Sequence, residues 1–106
     1  MEKLIGCVDH HNGHITSLRV FEPDTDSWKD MPRQDVVREI QSRLHTYRTW
    51  YKEPRSQQWE KGPIVQTIPI SGNWYLRTDD NQLAADNLGS LPSLAVCPWA
   101  PGKSKR

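Results

Sequence analysis

Apolar residues gather on both sides of Asn12-Gly13, with Leu4, Ile5, Cys7 and Val8 before it and Ile15, Leu18, Val20 and Phe21 after it, and Asn-Gly is the strongest short hairpin signal because a two-residue type I′ turn needs positive φ at both positions. Such a turn pairs residues whose numbers sum to 25, so His11 faces His14, Asp9 faces Thr16, Cys7 faces Leu18 and Ile5 faces Val20 on one side. The other side carries His10 with Ile15, Val8 with Ser17 and Leu4 with Phe21. Two strands are predicted, 4–11 and 14–21. The stretch "EPDTDSWKD" then reads as a turn-rich link. In "MPRQDVVREIQSRLH" the period changes: Val36, Val37, Ile40 and Leu44 form one apolar stripe, with Arg38, Ser42 and His45 opposite. Asp30 as N-cap, Pro32 in the first turn and Asp35 at the positive end of the dipole complete an amphipathic helix of about three turns.

From Thr46 the residues favour strand again. "TYRTWYK" is followed by a loop over 53–63, and "IVQTIPI" and "WYLRTD" are joined by a three-residue hairpin loop, Ser71-Gly72-Asn73. Pro69 cannot donate to a ladder, which puts its strand at an edge or interrupts it. After Asp79 the sequence suggests a turn and a short helical turn around "AADNLGSLP". The prediction is an α+β fold: a small antiparallel sheet in the order β-β-α-β-β-β with one amphipathic helix packed on one face. A single domain would span 1–92, followed by a proline-punctuated extension, 93–106, with a basic tail.

At 106 residues one small core is expected, and with 35% hydrophobic residues but five tryptophans and three tyrosines it should be rich in aromatics. A net charge of +1 gives no whole-chain attraction to nucleic acid or membrane. The start "MEKLIGCVDHH" lacks the apolar run of a signal peptide, and no window approaches a membrane span. Cys7 and Cys97 have no CxxC spacing and read as free thiols. A cytoplasmic protein with no membrane partner is the expectation.

Three candidate chemistries stand out. The first is the hairpin tip, where Asp9, His11 and His14 share a face beside His10, a sterically conceivable two-histidine, one-carboxylate metal set. It lacks the second ligand pair or helical H-E-x-x-H of established zinc sites, so a solvated polar tip is the plainer reading, with a metal-dependent hydrolase as the remote one. There is also no G-x-S-x-G, P-loop or glycine-rich dinucleotide fingerprint, and no cofactor is implied. An enzyme is therefore not the leading reading.

The second is aromatic and basic. Between Thr46 and Thr78 five Lys/Arg residues (Arg48, Lys52, Arg55, Lys61, Arg77) outnumber two acids, and Tyr47, Trp50, Tyr51, Trp59, Trp74 and Tyr75 are interleaved with them. Such residues suit packing within the chain, a protein interface, or stacking on nucleotide bases. In an extended "TYRTWYK" Arg48, Trp50 and Lys52 share the exposed face, while Tyr47, Thr49 and Tyr51 face the core. The helix surface, with Arg33, Arg38 and Arg43 beside Asp35 and Glu39, reads as a mixed solvated face.

The third is "WYLRTDDNQLAADNLGSLP", in which Tyr75, Leu76, Arg77, Thr78, then Asp86, Asn87, Leu88, then Leu91, Pro92 resemble the C-terminal signature of a family of small bacterial and phage domains of unknown function. Weaker matches, "HITSLRV" and "PRQDVVREIQS", extend the resemblance over roughly residues 3–92. It implies an α+β fold and a phage or bacterial origin, and it supplies no established reaction. The histidines, the 53–63 loop and the 93–106 tail fall outside the pattern. Physically the signature reads as a clasp, with Asp86 or Asn87 capping a turn and Leu88 and Leu91 plugging the core. The alternative gives Arg77 and Asn87 a ligand-contacting role.

Taken together, the residues point to a non-enzymatic protein-interaction module. In this reading it is a phage or mobile-element accessory protein that docks on a larger protein partner and inhibits a bacterial defence system. The expected contact residues are Arg48, Trp50, Arg55, Trp59, Tyr75, Arg77 and Asn87. The rival is a nucleotide or single-stranded nucleic-acid binder that uses the aromatic-basic sheet face, and an edge strand leaves room for a homodimer.

Overall fold

The first strand, β1 (Glu2–His11), is buried over six consecutive residues, 3–8, so it is covered on both faces. In the computed structural model, which describes residues 2–12, 14–53, 55–78, 86–89, 91–99 and 102–103, β1 pairs antiparallel with β2 (His14–Glu22). β2 in turn pairs with β3 (Ser27–Pro32), and α1 (Arg33–Gln41) follows directly. β4 (Thr46–Lys52) returns parallel to β1, and β5 (Trp59–Ile64) pairs on its outer side. β6 (Gln66–Ile70) and β7 (Asn73–Arg77) form a separate ribbon. A 3₁₀ turn (Leu94–Val96) precedes the two-residue β8 (Gly102–Lys103), which pairs with β3 and completes the main sheet in the order β5-β4-β1-β2-β3-β8.

The α+β class holds, but the arrangement is mostly β and the sheet is mixed, not antiparallel in the expected β-β-α-β-β-β order. The extra strands arise where turn residues dominated the reading. β3 lies in the expected link and β5 in the expected loop, each recruited by pairing with a hydrophobic neighbour strand. β6, with Pro69, does lie at an edge, since it pairs only with β7.

The β1–β2 register is correct at both ends and wrong in the middle. Leu4↔Phe21, Ile5↔Val20, His10↔Ile15 and His11↔His14 hold, but Cys7 pairs with Arg19, Val8 with Leu18 and Asp9 with Ser17. Two irregularities, between Ile5 and Cys7 and between Asp9 and His10, shift the pairing by one residue and restore it. Val8 and Leu18 thereby join the helix-side core, and Cys7 turns to the opposite face. Asn12 has the positive φ (52°) that the turn requires, while Gly13 lies outside the described residues. The second hairpin turns on two residues, Ser71 and Gly72, both at positive φ, instead of the expected three.

The helix is shorter than its stripe. Pro32 occupies the N-cap position and Asp30 sits in β3, paired with Arg19. At the other end Arg43 adopts φ 59°, and Arg43 N and Leu44 N donate to Ile40 O and Glu39 O, a Schellman-type stop that leaves Leu44 63% exposed. Val36 and Val37 are buried against Ile5, Val8, Ile15, Leu18, Val20 and Tyr47, and Leu76 and Leu88 complete the same core. At its rim Lys3 Nζ reaches Glu39 Oε1 at 3.0 Å, and the Tyr47 hydroxyl donates to the same oxygen at 2.6 Å. Burial together with that bond pushes the Tyr47 hydroxyl pKa far up, so it stays a donor.

The opposite face of β1 is covered by the C-terminal segment. Cys7 and Cys97, expected as free thiols, are joined in a disulfide across 90 residues of sequence. Spacing could not announce this bond, because it depends on where the segment after residue 92 crosses the sheet. Among the described residues no helix is long and apolar enough to cross a membrane.

Candidate functional site

Asp86 is the hub of the expected clasp. Its side chain is fully buried, and Oδ2 accepts from Ile15 N (2.7 Å) and Arg33 Nε (2.7 Å). Oδ1 accepts from Leu76 N (2.8 Å) and Arg33 Nη2 (2.9 Å), and Arg33 Nη2 also donates to the Trp74 carbonyl. One carboxylate therefore ties β2, the first residue of α1 and β7 together. Burial alone would raise its pKa, but the Arg33 bonds and the two backbone N–H groups outweigh burial and hold it below the ordinary carboxylate value. The arginine's own pKa is raised by the same pair.

Around this hub Tyr75, Leu76, Arg77 and Leu88 are buried, while Asn87 is exposed. Asn87 N donates to Leu76 O and Thr78 N to Asn87 O, so 86–88 runs beside the end of β7, and Arg77 and Asn87 form a parallel bridge. Arg77 is 1% exposed, and the exposed Asn87 uses its Oδ1 on Gly89 N. Leu88 is in the core and Leu91 packs against it. The expected helical turn over 84–92 does not form where the structure describes it: residues 86–89 and 91–92 are not helical, and Asn87 bridges to Arg77 because the segment is drawn alongside the end of β7; the tail after 103 lies outside the described residues.

The residues of the histidine tip do not converge. His11 and His14 pair across the turn, but Asp9 Oδ1 accepts from Leu94 N at 2.9 Å on the C-terminal side, and the His14 ring stacks on Tyr75 at 5.6 Å. Among the described residues no group of three His, Cys, Asp or Glu side chains could hold a metal ion.

Two tryptophans of the aromatic-basic set, Trp50 and Trp59, are drawn into one run of ring contacts with Trp28 and Trp99. Trp50 stacks on Trp59 (6.4 Å), Trp59 meets Trp99 edge-on (4.9 Å), Trp99 stacks on Trp28 (5.1 Å), and Trp28 meets Phe21 (5.2 Å). Arg48 Nε donates to Gly62 O, and the exposed Arg55 has its backbone N–H on Glu53. Thus Trp50 and Trp59 pack within the chain, Arg77 is buried, and only Arg55 and Asn87 of the expected contact residues stand fully in solvent.

The fifth tryptophan, Trp74, joins none of these ring contacts and is 45% exposed. It borders a groove of about 610 Å³ between α1 and the β6–β7 ribbon, together with Tyr75, His14, Arg38, Gln34 and Gln41. The described lining contains no carboxylate. Arg38 contacts Asp35 at 3.3 Å but keeps a 72% exposed side chain. Trp74 belongs to the aromatic-basic set but not to the expected contact residues, because nothing in the sequence shows that α1 leaves it half-exposed. A family model described as a protein of unknown function (DUF3892) matches residues 4–92, and no curated protein and no solved structure matches the chain.

Proposed function

We propose that this chain, which belongs to the DUF3892 family of proteins of unknown function, is a non-enzymatic docking module that engages a larger protein through the groove between α1 and the β6–β7 ribbon. Trp74 carries the reading. A half-exposed indole beside an open arginine, glutamine amides and a stacked His14–Tyr75 pair has the composition of an interface hot spot. The groove is also built on rigid parts, because Arg33 fastens the start of α1 to both Asp86 and the Trp74 carbonyl. The expected contact set moves accordingly: Tyr75 stays within it, while Trp50 and Trp59 serve their own aromatic run.

An inhibitory action on a bacterial defence protein, in the cytoplasm of the host cell, is the specific form of this proposal that the sequence suggests. The experiment is capture of partners on immobilised protein, compared with Trp74→Ala and Arg38→Ala. A partner retained by wild type and by Arg55→Ala but lost by both groove variants supports the reading. Equal capture by all four proteins removes it.

The second reading, a nucleotide binder, rests on the same groove, since an indole face near a guanidinium suits a base and a phosphate and the volume suits a mononucleotide. It requires quenching of tryptophan fluorescence by adenosine or guanosine monophosphate that disappears in Trp74→Ala.

A further inference from the structure

The face of the sheet opposite α1 is an interaction surface that already has an occupant. β4 pairs with β1 only as far as Ile5, and beyond that point Val8 N donates to Pro92 O, which is where the chain enters this face. Residues 93–99 then cross it. Leu94 N donates to Asp9, Cys97 bonds Cys7, and the Trp99 ring contacts both Trp28 and Trp59 while Arg19 Nη1 donates to its carbonyl at 2.9 Å. Gly6 makes room, since a Cβ there would lie 2.9 Å from atoms of both Trp28 and Trp99. Cys97 and Trp99 lie beyond residues 4–92, which the family model matches.

Apart from the disulfide, the strap is held by two hydrogen bonds, Leu94 N to Asp9 Oδ1 and Arg19 Nη1 to the Trp99 carbonyl, and by the Trp99 ring contacts, while its middle is open to solvent. No residue of its 3₁₀ turn is buried, Val96 is 71% exposed, and the buried Trp99 Nε1 finds no hydrogen-bond partner among the described residues. We propose that residues 93–99 are a redox-latched strap, and that its reduction by a dithiol uncovers a surface for an extended segment presenting an aromatic ring and a backbone carbonyl. The chemistry of the partner is read from the strap itself, which offers Trp99 to Trp28 and Trp59 and its carbonyl to Arg19. A dithiolate sulfur attacks the partly exposed Cys97, because Cys7 is fully buried. The Cys7–Cys97 bond breaks, the reductant's second sulfur closes its own disulfide, and the two electrons and two protons it gives up leave both cysteines as thiols. In a reducing cytoplasm the open form is the resident one. This proposal is independent of the Trp74 groove.

Two measurements test it. Hydrogen exchange on oxidised and dithiothreitol-reduced protein should show the 94–99 amides exchanging at least about tenfold faster after reduction, with Leu18 and Val20 still protected. A synthetic peptide of residues 93–103 with serine in place of Cys97 should bind Cys97→Ser/Trp99→Ala protein, whose seat is vacated, and not oxidised wild type. Unchanged exchange at 94–99, loss of protection across the whole sheet on reduction, or no peptide binding by the vacated protein overturns it.

Discussion

Arg33 and Asp86, 53 residues apart, meet through two nearly parallel hydrogen bonds of 2.7 and 2.9 Å, and the same carboxylate accepts two backbone N–H groups. All four acceptor positions of a fully buried side chain are therefore in use. Asp86→Asn removes the charge and turns an NH₂ group toward either Ile15 N or Leu76 N. It should cost about 3 kcal/mol, read as a lowered midpoint in urea unfolding with an unchanged slope.

The same site sets an acid limit. An unfolded aspartate titrates near ~3.9, and Asp86 in the fold lies below that, so its contribution is complete above the unfolded value and is lost as pH falls through the folded one. Glu39 has the same sign: burial would raise its pKa, but the Tyr47 and Lys3 bonds lower it overall. Stability measured in urea should therefore fall as the solution is acidified below about pH 4. Asp86→Asn should flatten that fall without abolishing it, since Glu39 remains. An equally steep fall in both proteins would show that Asp86 is not the titrating group.

The sequence revealed the parts of this molecule that follow from local periodicity. Val36 and Val37 marked the buried side of α1, Asn12-Gly13 marked the first hairpin, and Leu88 and Leu91 marked the plug of the clasp. It hid what depends on a distant segment. Nothing in β1's own residues reveals that 93–99 cover its second face. Trp50 and Trp59 looked available for a partner because Trp99, which meets Trp59, comes 40 positions later in the chain. The sequence offers Asp86 or Asn87 as a turn cap and places Arg33 on a mixed solvated helix face, and nothing local shows that Arg33 and Asp86 pair with each other.

Gly62 on β5 is buried against β4, and a Cβ there would lie 2.0 Å from Thr49 Oγ1, a side chain only 3% exposed. Gly62→Ala should destabilise by about 1–3 kcal/mol. Thr49→Ala removes the obstructing oxygen, so the double variant should be more stable than the sum of the two single losses. Strict additivity in a double-mutant cycle would mean that the two positions do not touch.

The C-terminus of α1 offers the opposite sign. Arg43 sits at φ 59°, where an L side chain is strained, while its N–H and that of Leu44 close the helix on Ile40 and Glu39. Its side chain is exposed and, among the described residues, makes no ion pair. Arg43→Gly relieves the strain and keeps both hydrogen bonds, at the cost of a more flexible unfolded chain. The net should be a gain of about 0.5–1 kcal/mol, seen as a rise in Tm of a few degrees. Arg43→Ala retains a Cβ at the same φ and should gain nothing, so equal stabilisation by glycine and alanine would assign the effect to loss of the long side chain instead of relief of backbone strain.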